Sequence, residues 1–178
     1  MKGPLSSYEI LDDSSHLKLG SVWVPIQSGL DVSAEVNQET GELVSVSLHF
    51  LDSIVKVQVF AAAKDSDSWA ETRYEIAARL EETKVQPKIV IGNFGPEIQA
   101  VMPTYDSAGQ ATIQSVRFIG VNGDRWFARI VVSGLATLEQ EAMNKIDELI
   151  SELVIHRGDQ AMAPGALLPL EFPEVGKV

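Results

Sequence analysis

The chain contains no cysteine, which excludes disulfides, thiolate-bound zinc, iron–sulfur clusters and a thiol nucleophile. No apolar run approaches the roughly 20 residues that a membrane-spanning helix needs. The opening Met1-Lys2-Gly3-Pro4-Leu5-Ser6 leads into no signal-peptide core. Positive charge is scarce: 14 Lys and Arg stand against 25 Asp and Glu, a formal net charge of −11. Such a surface repels a phosphate backbone and an anionic membrane alike. These absences predict a soluble, cytoplasmic, acidic protein with neither a nucleic acid nor a membrane as partner.

Chemical motifs are equally sparse. The three histidines, His16, His49 and His156, lie far apart, in no spacing that pairs metal ligands. No Gly-x-Ser-x-Gly elbow occurs, and Gly92-Asn93-Phe94-Gly95 lacks the lysine and helix of a phosphate-binding loop. Glu71, Glu75, Glu81 and Glu82 fall on a solvent-facing helix surface, where nothing raises a carboxyl pKa for acid catalysis. Arg157-Gly158-Asp159 matches an adhesion tripeptide but reads better as a local turn. No catalytic residue, metal or cofactor is therefore expected, and the balance falls against an enzyme.

What is present is a set of well-patterned strands. With 178 residues, 45% of them hydrophobic, the chain suffices for one domain that buries about two-thirds of its unfolded surface. The stretch from Ser115 to Gly134 is its centre. Two runs of β-branched and aromatic residues flank Asn122-Gly123, the dipeptide of tight hairpin turns. Trp126, Ala128, Ile130 and Val132 share one face of the second run, and Phe127, Arg129 and Val131 the other.

Elsewhere Leu17–Val24 reads as a single edge strand stopped by Pro25. Residues 32–36 and 44–50 form a hairpin with one apolar and one polar face, and Ile54–Ala61 a third strand. A first helix is predicted from a capping box of Ser68 and Glu71, with Trp69, Ile76, Ala77 and Leu80 on its apolar side. Gln86-Pro87 ends it. A second helix is predicted from Thr137 and Gln140, with Leu138, Ala142, Ile146, Leu149, Ile150 and Leu153 as its stripe. Val154-Ile155 is either a short strand or the end of that helix. Short strands are predicted from Lys88 to Ile91 and from Ile98 to Met102.

These elements predict an α+β fold, a largely antiparallel sheet with two main helices packed on it. The doubly wound parallel alternative is disfavoured because helices and strands do not alternate. Residues 1–157 are expected to form the single domain. Residues 158–178, with Pro164, Pro169 and Pro173 among them, are expected to form an extended tail pinned to it by Leu167, Leu168, Leu170 and Phe172.

Three segments carry a family likeness: Phe94-Gly95-Pro96-Glu97, the run from Arg117 to Trp126, and Arg157 to Pro164 followed by Leu168-Pro169-Leu170. They resemble an uncharacterised actinobacterial family known only as a domain of unknown function, over about Tyr8 to Pro173. Members of that family often carry an acidic N-terminal extension, whereas this chain starts almost directly at the domain. The order of strands and helices is also similar, more weakly, to the Mog1/PsbP-like fold, whose members are mostly binding proteins and assembly factors. Fold likeness alone does not give a function.

Arg117, Arg125, Trp126 and Arg129 are the candidate ligand or partner-binding residues, since arginine and tryptophan are over-represented at binding sites. Arginines in such settings also pair with nearby carboxylates such as Asp124 or stack on rings. The sequence thus points to a non-catalytic protein-interaction or assembly module, a monomer or homodimer with an unidentified protein partner. The alternative is a small-ligand-binding protein or enzyme with a pocket near the central hairpin.

Overall fold

Period-two alternation of apolar and polar residues carries most of the chain into strands. In the computed structural model, which describes residues 1–172, these are β1 (Leu5–Ser6), β2 (His16–Leu19), β3 (Val22–Pro25), β4 (Asp31–Val36), β5 (Leu43–Phe50) and β6 (Ser53–Ala61). Helix α1 (Ser68–Glu82) follows, then β7 (Lys88–Gly92), β8 (Gly95–Tyr105), β9 (Ala111–Asn122) and β10 (Trp126–Gly134). Helix α2 (Gln140–Glu152) and β11 (Val154–Ile155) complete the series.

Among the described residues the strands form two sheets. The larger is antiparallel throughout, in the order β4-β5-β6-β10-β9-β8-β7. The smaller runs β1-β11-β3-β2 and is mixed, because β1 and β11 are parallel. This is the expected α+β class. The central position of β10, between β6 and β9, explains why both of its faces are apolar.

One face of the large sheet presents Val55, Val57, Val59, Ile130 and Val132 to the main core. There they meet Leu19, Val22 and Val24 of the small sheet and Ile146, Leu149, Ile150 and Leu153 of the α2 region. The opposite face carries a second cluster, in which Ile98, Ala100 and Val116 meet Leu80 and Val85 at the end of α1. The molecule is layered accordingly: the small sheet and α2, the large sheet, then α1. Ile130 is fully buried, so Ile130→Ala is expected to cost about 2–5 kcal/mol. A chemical denaturation midpoint close to wild type would contradict that central placement.

Several local readings are corrected. The run Leu17–Val24 is not one strand but the hairpin β2–β3, because Gly20 takes φ +73° and turns the chain. Helix α1 is capped by Asp67 rather than Ser68: the Asp67 carboxylate accepts from the Ala70 N–H at 3.0 Å and from the Asn122 amide at 2.9 Å. A carboxylate there also complements the helix dipole. The second helix begins at Gln140, and Leu138 is 74% exposed outside it. The N-cap position of α2 is Glu139, so Thr137 lies two residues ahead of it in a short 3-10 turn, where its hydroxyl donates to the Gly134 carbonyl.

The central turn differs as well. Strand β9 continues through Asn122, which pairs with Phe127, and the left-handed residue is Arg125, at φ 61°. The Asn122 side chain is held by the Trp69 N–H and by Asp67, which keeps that residue in the strand. Gly123 serves close approach rather than a positive φ, since a Cβ there would run into the Trp126 indole.

Residues 158–172 run against the body as irregular chain that bends at 159–160 and turns at Pro164–Gly165. Gly165 N–H donates to the Ala61 carbonyl and Leu168 N–H to the Val59 carbonyl, while Ser21 N–H donates to the Pro169 carbonyl and Glu171 N–H to that of Leu19. Leu168 is buried in the main core, with Leu170 and Phe172 packed against it. The part of the expected tail from 173 to 178, Pro173 included, lies outside the described residues.

Candidate functional site

The four residues singled out from the sequence do not converge. Cross-strand register places Arg117 opposite Val132 and Arg129 opposite Gly120. Val132 and Arg129 stand three positions apart on β10 and so face opposite ways, which puts Arg117 on the face toward α2 and Arg129 on the face toward α1. Trp126 is buried, its indole N–H donating to the Ser6 hydroxyl at 2.8 Å. Arg125 sits in the exposed turn, where its carbonyl accepts from the Ala62 N–H and from Arg157 Nε.

Arg117 is 2% exposed and lies between two carboxylates, Glu97 (2%) from β8 and Asp147 (1%) from α2. Its Nε and Nη2 donate in a fork to the two Glu97 oxygens, both at 2.9 Å, and Nη1 donates to Asp147 at 3.0 Å. Asn93 donates to the other Asp147 oxygen at 2.8 Å, and Gln99 donates to Glu97 at 3.1 Å. Burial by itself would depress the guanidinium pKa, but hydrogen bonds and charge from Glu97 and Asp147 outweigh it and hold it above its ordinary range. A planar fork suits two carboxylates as an ammonium would not. Gly92 leaves the room this needs, because a Cβ there would strike the Glu97 carboxylate. With all three charges out of solvent, the cluster is a structural pin joining β8, β9 and α2.

On the opposite face Arg129 is half-buried in a cleft of about 360 Å³ between α1 and strands β6, β9 and β10. Its Nη2 donates to Gln58 Oε1 at 2.6 Å, and its guanidinium lies 5.2 Å from the Phe60 ring centroid. Burial pushes its pKa down, and the like charge of Arg79 on α1 adds to that. Among the described residues neither Arg129 nor Arg79 is in an ion pair, whereas Lys56 beside them is paired with Glu35. Glu75 also lines the cleft, and Ile76, Leu80, Met102, Phe118 and Val131 form its apolar wall.

The histidines are held separately: His156 stacks on Trp23, His49 contacts Ser33, and His16 contacts the Glu152 carbonyl. Among the described residues no three His, Asp or Glu side chains gather as metal ligands would. No helix there is long and apolar enough to cross a membrane.

Sequence reasoning found Arg117 and Arg129 but missed their surroundings. Glu97 and Asp147 carried a readable sign: each is a charge bordering an apolar pattern, Glu97 before Ile98 and Asp147 between Ile146 and Ile150. Lys56, Gln58 and Arg79 carried none, because their convergence depends on β6 pairing with β10 and on how α1 crosses the sheet.

The fold and site together define an α+β protein whose large antiparallel sheet bears a buried arginine–carboxylate pin on one face and a cationic cleft on the other. The chain belongs to the family described as "Protein of unknown function (DUF3710)", whose model matches residues 3–177. No curated protein and no solved structure matches it. The domain-of-unknown-function family is thereby supported, while the expected actinobacterial origin and Mog1/PsbP-like fold gain no counterpart.

Proposed function

We propose that the protein is a non-catalytic protein-interaction module that presents the distal half of the β8–β9 hairpin to another protein. The observation that carries this reading is a two-stranded arm. Strand β7 pairs with β8 only as far as Gln99, and β10 pairs with β9 only from Val116 onward. Among the described residues, 101–105 and 111–115 pair with each other alone. Directly opposed residues share a face, so Val101, Pro103, Tyr105, Ala111 and Ile113 lie together. Tyr105 is 75% and Ile113 73% exposed. Asp106 fixes the tip by accepting from the Ala108 and Gln110 N–H groups.

An apolar strand pair with open backbone edges suits strand addition by an extended segment. The partner is a different protein rather than a second copy, because two chains of charge −11 repel each other.

The test is a photo-crosslinking residue at position 105, compared with position 74 on α1, in cells of the source organism. Tyr74 is equally exposed. A discrete crosslinked partner at 105 that is absent at 74, and lost when Ile113→Lys is added, is the expected result. Equal labelling at both positions would overturn the reading. Ile113→Lys itself should shift stability by no more than about 0.5 kcal/mol, as exposed substitutions do, so loss of the crosslink would not reflect unfolding.

A further inference from the structure

We infer that the cleft between α1 and strands β6, β9 and β10 is a binding site for an amphiphilic anion: a carboxylate or phosphate head on a short apolar body. The charge pattern argues for it. On a chain with 25 acidic residues, Arg129 and Arg79 stand close enough to repel each other, yet among the described residues neither holds a carboxylate. Lys56 is neutralised by Glu35, so the two arginines against Glu75 leave the cleft with a positive excess.

Guanidinium groups recognise oxyanions through parallel N–H donors, and among the described residues only one of the five Arg129 donors is taken, by Gln58. The stack on Phe60 and the bond to Gln58 fix the orientation of that fork, so little side-chain freedom is lost on binding. Beneath the charges, Ile76, Leu80, Met102 and Phe118 offer an apolar wall. The cavity of about 360 Å³ lies at the small end of the range that ligand sites occupy. That favours a body of a few carbons over a nucleotide. This site lies on the face opposite the Arg117 pin, and of the β8–β9 arm it takes only Met102, which alternation turns away from the Tyr105 and Ile113 face.

The experiment is a titration of the full chain with octanoate, octyl phosphate, octanol and inorganic phosphate, followed by isothermal calorimetry and by amide and methyl NMR shifts. Octanoate or octyl phosphate is expected to bind saturably at one site and to shift Ile76, Val131 and the Arg129 side chain. Octanol and inorganic phosphate should each bind at least about tenfold more weakly, because each lacks half of the recognition. Whichever amphiphile binds tighter identifies the head group.

Arg129→Gln should weaken binding by about tenfold or more. Arg79→Gln, on the exposed side of a helix, should weaken it without risk to the fold. Glu75→Gln should tighten it, an effect that a merely structural role would not produce. Unchanged affinity in both arginine variants, shifts that map elsewhere, or the absence of saturable binding to the folded protein would overturn the assignment.

Discussion

Truncation after Gly158 is expected to abolish the cooperative folding transition or to lower its denaturation midpoint severely. The lost segment places Leu168 in the main core, and burying one leucine contributes about 1.5–3 kcal/mol. It also supplies backbone partners to Val59, Ala61, Leu19 and Ser21. Each such bond is worth about 0.5–1.5 kcal/mol net, more where a buried group is left without a partner. The sum is on the order of several kcal/mol, comparable with the whole stability of an ordinary domain, about 5–15 kcal/mol. Leu168→Ala gives a milder reading of the same contact, with an expected loss of about 2–5 kcal/mol. A truncated chain that melts like the full one would show that residues 159–172 do not hold the body together in solution.

The second large effect concerns the buried pin. Arg117→Met is expected to cost about 3–5 kcal/mol, because it leaves Glu97 and Asp147 buried without their cation. Adding Glu97→Gln and Asp147→Asn should return much of the loss, since the stranded charges, rather than the missing contact, dominate the cost. Because the Arg117 pKa is raised, the guanidinium stays charged at neutral pH and its own titration takes nothing from stability there. That titration removes its contribution only as the pH rises through the folded value. Urea denaturation of the single and triple variants at neutral pH is the measurement. If Arg117→Met folded as stably as wild type, the side chain would be free to serve a ligand instead.

Legibility from the sequence followed the range of the interactions. The hairpin β4–β5 and strand β6 were readable because alternation is a local property, set by one wet and one dry face. The β2–β3 turn escaped because Gly20 lies inside an otherwise continuous apolar run, and only its left-handed conformation shows that the chain reverses. Leu138 was misassigned to a helix because its spacing fits the stripe. The competing bonds that end the 3-10 turn before α2 come from Ser53 and Gly134. For the site the limit was similar. Arg117 and Arg129 lie on one hairpin and look like neighbours in the sequence, yet the register of β9 against β10 sends them to opposite faces, and their surroundings come from residues 20 to 71 positions away.

The parallel pairing of Leu5 with Val154 bears on the order in which the protein assembles. Hairpins such as β8–β9 and β9–β10 close short loops and can form early, whereas β1, β3 and β11 join segments from opposite ends of the chain. Such distant closures come late and slow the overall rate. During synthesis β1, β2 and β3 are made before the other elements, and β3 waits with an open edge until β11 follows α2. Ser6, which will hold the Trp126 indole, waits as well. Strands β1 and β3, made before the other elements of this domain, are therefore among the last to reach their final partners, and that interval is when the growing chain is most exposed to mispairing.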